Sequence, residues 1–170
     1  MVSLKKYLII VAVCVVAIIA FIWGQSLVEF DTSVRESQFL LPLVRPFYEA
    51  IFGPGSLDGY TWRKLAHGLE FFVLGVLSGL LAVLVAKFSK KIHFGIKSVC
   101  IAILASEVLC LIVASIDELL QTTNNRHPQV MDVGIDMIGA TCGIALVMLV
   151  MLLIVYILKL KRSKLNGKRR

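Results

Sequence analysis

Four long apolar runs separated by polar stretches set the layout of the chain. They cover about residues 7–28, 65–86, 96–116 and 133–158. Each comes close to the ~20 residues that a helix rising ~1.5 Å per residue needs to cross a hydrocarbon core ~30 Å thick. The pattern predicts an all-α fold, an integral membrane four-helix bundle. The first run carries no charge, and Trp23 stands near its far end, where an interfacial aromatic anchors a membrane helix. Lys5 and Lys6 in front of it resemble the basic region of a secretory signal. The run is longer than a signal's apolar core, however, and no small-residue cleavage pattern follows it, so a retained helix is expected.

Between the first and second runs, Phe39, Leu40, Leu43, Val44, Phe47, Ile51 and Phe52 recur at roughly helical spacing. This predicts a short amphipathic helix lying on the membrane surface, broken by Pro46 or Pro54.

Polar residues interrupt the pattern most heavily between the third and fourth runs, in SIDELLQTTNNRHPQVMDVGIDMIGATCG, residues 115–143. Asp117, Glu118, Arg126, His127, Asp132 and Asp136 fall here. A charged group within a membrane helix costs roughly 2.5–3.5 kcal/mol on insertion scales, so such a cluster is a functional-site expectation by default. In the second run His67 and Glu70 are three apart and lie on neighbouring helix faces. Gly75 and Gly79 follow at the GxxxG spacing that lets membrane helices approach closely. In the third run, Glu107 and Glu118 are three turns apart, so a stripe of Glu107, Leu111, Ala114, Glu118 and Gln121 is expected to point into the bundle. In the fourth, Asp132, Asp136, Gly139 and Gly143 fall on a single stripe, so carboxylates and close-packing positions share one face.

With four crossings, the start of the second run, the end of the third and the start of the fourth meet on one side of the membrane. Glu70, Glu107, Asp117, Glu118, Asp132 and Asp136 then face Arg63, Lys64 and Arg126, an excess of three acids. Either some acids keep their protons, setting a general acid beside a general base with His67 as a further partner, or a divalent cation binds. Any single ion pair here is adequately explained as packing. An uncompensated excess is a costly way to specify packing, so the whole convergence points to a functional cavity. His93 and His127 by themselves read as loop residues.

Composition agrees with the run lengths: 58% of residues are hydrophobic and the mean hydropathy is +0.87, above the soluble range. The formal charge of +7 is unevenly spread. Thirteen of the eighteen Lys and Arg residues lie in the N-terminus, at positions 87–97 and in the C-terminal tail. Basic residues near helix ends stay on the cytoplasmic side, so both termini are expected to be cytoplasmic. The same distribution makes the charge a topogenic signal, and no nucleic acid partner is expected. Cys14, Cys100, Cys110 and Cys142 lie in apolar runs without CxxC spacing and read as small hydrophobes.

The segment RKLAHGLEFF, followed by DELLQTTNNRHPQVMDVGIDMIGATCG, resembles the VanZ-like family of bacterial membrane proteins. The family pattern is a basic residue before His, then Glu and Phe, matched here by Lys64, His67, Glu70 and Phe71. An Asp-Glu-x-x-Gln series, Arg, Asp and a GxxxG helix follow, matched by Asp117, Glu118, Gln121, Arg126, Asp132, Gly139 and Gly143. The Asp-Glu-x-x-Gln to Arg to Asp spacing is the specific part, while GxxxG alone is weak. The family often carries Asn where this chain has Asp136, which adds negative charge to the cluster.

The resemblance implies a small multi-helix protein of the bacterial cytoplasmic (inner) membrane, with a namesake associated with teicoplanin resistance, and it implies no reaction. On this reading the chain divides into a first transmembrane helix (1–28), an outer loop (29–63), a VanZ-like core of three transmembrane helices (64–158) and a basic cytoplasmic tail (159–170). His67, Glu70, Asp117, Glu118, Gln121, Asp132 and Asp136 are the expected chemical residues, with His67 and Glu118 as the acid/base pair. Lys64 and Arg126 would hold an anionic head group, and Asp132 and Asp136 would orient these groups or bind a divalent cation. The expected partner is a membrane lipid or a lipid-linked envelope substrate. Two other classes stay open: an oligomeric proton- or ion-coupled carrier using Glu107 as a mid-membrane relay, and a non-catalytic membrane assembly subunit.

Overall fold

The computed structural model describes residues 2–27, 41–88, 96–124 and 130–167. These form helices α1 (Val2–Ser26), α2 (Leu41–Phe52), α3 (Gly59–Phe88), α4 (Ile96–Gln121) and α5 (Val130–Gly167), with a 3-10 turn at Thr122–Asn124 after α4. Helices α1, α3, α4 and α5 are each long and apolar enough to cross a membrane, which gives the expected all-α, four-crossing architecture.

Helix α3 starts before its apolar run because Asp58 caps it. The Asp58 Oδ1 accepts the Thr61 N–H at 2.7 Å and its carbonyl accepts the Trp62 N–H at 2.9 Å, meeting donors that a helix start leaves unpaired. The Thr61 bonds hold the Asp58 carboxyl below its ordinary value. Arg63 and Lys64 are thereby built into the first turns of a membrane-crossing helix. At the other extreme α5 has 38 residues, roughly 57 Å of helix against a core of ~30 Å, so its basic C-terminal turns extend past any hydrocarbon layer.

The short helix α2 appears within the predicted stretch, of which Phe39 and Leu40 lie outside the described residues, and the structure decides between the two expected breaks. The helix runs through Pro46, and the stop comes at Gly53 and Gly55, with φ of 97° and 76°, on either side of Pro54. The Gly53 N–H still bonds the Glu49 carbonyl at 2.9 Å, and the left-handed residue then ends the helix. Leu43, Phe47 and Ile51 form an exposed apolar stripe, while Arg45 and Glu49 pair at 3.8 Å on the opposite side. That amphipathicity suits a membrane–water interface.

In the bundle α3 packs against all three other crossing helices, most extensively α5, and α1 and α5 lie on opposite sides of the α3/α4 pair. Helices α3 and α5 are in backbone contact. A Cβ on Gly139 would strike the Gly68 carbonyl, and one on Gly143 the Phe72 carbonyl. In α3, Gly75 lies against the Ala140 carbonyl in the same way, whereas a Cβ on Gly79 would meet Val147 only at an ordinary 3.5 Å. The outer surface is apolar: Val13, Val16, Ile101, Leu104, Ile138 and Leu152 are all roughly two-thirds exposed. Asp117, Glu118, Gln121 and Asp136 are buried. This inverts the soluble arrangement and fits a bundle surrounded by lipid.

The inward face of α4 differs from the expected stripe. Ala114, Glu118 and Gln121 turn inward as expected, together with Ala102, Ser106, Cys110, Val113 and Asp117, while Leu111 is 46% exposed and Glu107 sits half-buried at the edge. Large side chains at 104, 108, 111 and 112 face outward. Small ones turn inward, where Cys110 Sγ lies 3.6 Å from Ser78 Oγ of α3. Size matching between helices, rather than alignment of the two glutamates, sets the rotation.

Candidate functional site

The last turns of α1 and α4 and the first turns of α3 and α5 meet at one end of the bundle, and the polar residues collect there. Asp117 is at the centre, with its side chain 1% exposed. Ser26 of α1 donates its hydroxyl to Asp117 Oδ1 at 2.6 Å. Gln121, one turn further along α4, donates Nε2 to Asp117 Oδ2 at 3.0 Å. Arg63 of α3 donates Nη2 to Gln121 Oε1 at 3.2 Å. The carboxylate ties α1 to α4, each of its two oxygens accepting a bond, the condition for burying such a group, and α3 joins the network through the Gln121 amide oxygen. Trp23 adds a bond from its indole Nε1 to the Val113 carbonyl at 3.3 Å, locking α1 against the same part of α4.

His67 of α3 faces this centre. Its Nδ1 lies 3.9 Å from Asp117 Oδ2 and 3.9 Å from Asp136 Oδ1 of α5. Among the described residues Asp136, with a side chain 4% exposed, has no hydrogen bond at Oδ1, and the buried Glu70 Oε2 and Trp62 Nε1 lack one too. Buried polar groups are rarely left so, and each such group calls for an explanation. At the rim, Lys64 Nζ pairs with Asp132 Oδ1 at 2.8 Å and sits over the Tyr60 ring at 4.6 Å.

The expected site residues therefore divide clearly. The structure brings together Lys64, His67, Glu70, Asp117, Glu118, Gln121, Asp132 and Asp136, drawn from three helices, and buries the carboxylate-bearing face of α4 among them. The imidazole expected to pair with Glu118 stands between Asp117 and Asp136. Arg126 lies outside the described residues. Glu107 is not part of the cluster: its Oε2 accepts a bond from Thr141 Oγ1 of α5 at 3.3 Å, away from the bundle end. Sequence reasoning undervalued two members. Ser26 lies near the end of an apolar run, where polar residues suit any interfacial helix end as well as a site, and Arg63 counted only as a charge. A serine following a charge-free apolar run, level with an intramembrane Asp, was the available signal.

His67, Asp117 and Asp136 each offer one ligand atom, and these atoms lie within 4.8 Å of one another. The cluster as a whole is suited to holding a cation, relaying a proton or gripping a charged head group. Among the described residues at this end, Glu70, Asp117, Glu118, Asp132 and Asp136 face Arg63 and Lys64, so acids outnumber fixed bases.

A comparison with protein-family models matches residues 8–155 to the VanZ/LLP1 model. No curated protein and no solved structure matches the chain. With the match covering most of the 170 residues and four helices of membrane-crossing length, the chain is a multi-pass membrane protein that belongs to the VanZ/LLP1 family.

Proposed function

We propose that this protein resides in the bacterial inner membrane with both termini in the cytoplasm. Its polar bundle end then opens to the outer face and acts on a membrane lipid or lipid-linked envelope substrate. The observation that carries the reading is the placement of His67 between the buried carboxylates of Asp117 and Asp136, inside a bundle whose exterior is apolar. Burying charge among helices costs stability that apolar side chains of the same volume would not, so the arrangement is best accounted for by work done there. An imidazole between two carboxylates is equipped to accept and return a proton. Lys64 and Arg63, one turn nearer the helix start, supply positive charge for an anionic head group. Ser26 and Gln121 hold Asp117 in place and so position the imidazole. The glycopeptide resistance of the family's namesake makes teicoplanin susceptibility a natural phenotype to measure.

The test is a deletion strain complemented with wild type or His67→Ala, compared by lipid and envelope-precursor profiling and by teicoplanin susceptibility at matched membrane levels of the protein. The expected result is a lipid or precursor species that accumulates in the deletion and the variant but not in wild type. Identical profiles and susceptibilities for all three strains would refute the reading.

A further inference from the structure

We propose that His67, Asp117 and Asp136 form a binding site for one divalent transition-metal ion, of the Mn2+ or Zn2+ type. The inference rests on the reading of this cluster as a working site, with His67 in the ion-bound state a ligand rather than the proton acceptor, and its test needs no knowledge of the substrate.

Geometry supplies the first argument. Nδ1 of His67 is 3.9 Å from an oxygen of each aspartate. That is too long for a direct hydrogen bond, yet close to the ~3–4 Å that two ligands keep when each bonds one ion at ~2.1–2.4 Å. Three atoms mutually within 4.8 Å always have a point no more than about 2.8 Å from each, so side-chain shifts of at most about 0.8 Å complete metal–ligand bonds of ~2.0–2.2 Å.

The second argument is independent of the clustering. Asp136 is 97% buried, by its 3% exposure, and its Oδ1 points toward His67 with no hydrogen-bond partner among the described residues. A carboxylate oxygen in that position is a ligand atom awaiting a partner, since a buried polar atom left unsatisfied keeps its full desolvation penalty. Asp117 differs, being held from outside by Ser26 and Gln121. That is the pattern of an oriented ligand, because metal-binding carboxylates are themselves fixed by hydrogen bonds from the surrounding shell.

Ligand type selects the ion class. One imidazole nitrogen with two carboxylate oxygens suits Mn2+ or Zn2+, whereas Mg2+ and Ca2+ favour all-oxygen shells. A double positive charge also offsets the local excess of acids over Arg63 and Lys64. Three protein ligands leave coordination positions open, as sites that receive a substrate or water do. An anionic head group held by Lys64 and Arg63 would lie within reach of such a position.

The test uses the full chain in detergent, purified through a histidine-free tag and stripped with chelator, with Mn2+ and Zn2+ as the probes. Binding is read by calorimetry and metal analysis, and stability by melting with and without ion. Wild type is expected to take up close to one ion per chain and to melt higher with it. His67→Gln and Asp136→Asn should each bind at least about tenfold more weakly, while Glu107→Gln, outside the cluster, should bind as wild type does. The proposal is overturned if monodisperse wild type takes up no ion at millimolar concentration, or if the double variant His67→Gln/Asp136→Asn binds unchanged. Should the variants aggregate, electron spin-echo spectra of Mn2+-loaded wild type decide: modulation by an imidazole nitrogen supports the site and its absence refutes it. Ion uptake without any envelope phenotype would sink the proposed function and leave the metal site standing. An envelope phenotype that depends on His67 in a protein that binds no ion would do the reverse.

Discussion

At one end of the bundle the helices meet through carboxylates, an imidazole, an amide and a guanidinium. Towards the other end they meet through Ala, Ser, Val and Met, and α3 and α4 part around an open groove of 310 Å³ lined by Ser78, Leu81, Ala82, Ala102, Ser106 and Leu109. The apolar half tolerates that opening because a lipid chain can fill it at little cost, lipid being as apolar as the side chains it touches. The polar half has no such freedom. Asp117 is held by donors from α1 and from its own helix, and Arg63 of α3 reaches the same network through Gln121. Helix α3 would still be in backbone contact with α5 through Gly139 and Gly143 without any of these charges. The glycine seam therefore joins α3 to α5 independently of the charged end, where burying an unsatisfied carboxylate such as Asp136 is a cost that packing alone does not call for.

Four substitutions can break or sharpen this contrast. The largest expected effect is functional. Asp136→Asn should drop envelope function to the deletion level, while its melting temperature in chelator stays level or rises because an unsatisfied buried carboxylate is removed. A fall of many degrees would instead make Asp136 a structural residue and erase the distinction between the two ends.

Next comes the seam. Gly143→Ala should cost about 1–3 kcal/mol, since the new methyl meets the backbone carbonyl of Phe72 and overpacking of this kind is relieved only by moving a helix. Gly79→Ala is its control on the partner helix. With ordinary contact at Val147 it should be neutral or stabilise by up to ~1 kcal/mol through helix propensity. Denaturation in detergent reads both, and equal losses would show that the seam is not what holds α3 to α5.

Ser26→Ala probes the tie between α1 and the charged end. Losing the bond to Asp117 Oδ1 should cost about 1.5–3 kcal/mol if the carboxylate is ionised, and less if it is protonated. An unchanged stability would mean that α1 is held by its apolar contacts and the Trp23 bond to the Val113 carbonyl, with no contribution from Ser26.

The smallest effect lies outside both regions, at the exposed cap of α3. Asp58 is held below its ordinary value of 3.8 by the Thr61 bonds, so its contribution is present in full above that value and is lost as the pH falls through the lower folded value. Asp58→Asn should keep the cap and lose this acid-side dependence, whereas Asp58→Ala should show a slightly lower melting temperature at neutral pH. An Asp58→Asn protein with the wild-type acid profile would assign that dependence to other groups.

Much of this was legible in the sequence, for reasons specific to membranes. Apolar run length is a nearly sufficient signal for a crossing helix because an unpaired backbone cannot reside in lipid, and all four runs became helices. Asp132, Asp136, Gly139 and Gly143 were correctly placed on one stripe, since a straight helix fixes angular relations within itself. The rotation of α4 was not legible. Its surface is apolar nearly all round, so hydrophobic periodicity carries no information, and the facing residues of α3 selected Cys110 and Asp117 over Leu111 and Glu107. The part played by α1 was hidden for the same reason.

By itself the sequence determined that there are four helices of membrane-crossing length, which helix ends share a side, and most of the acids that gather there, Glu107 excepted, because each follows from chain length and local geometry. Only the tertiary structure decided which of those groups touch. Ser26 and Asp117 are 91 positions apart, and their 2.6 Å contact, like the station of His67 between two aspartates, follows from how helices rotate to fit small side chains against one another. That fit is a property of pairs of surfaces, which no single run of residues encodes.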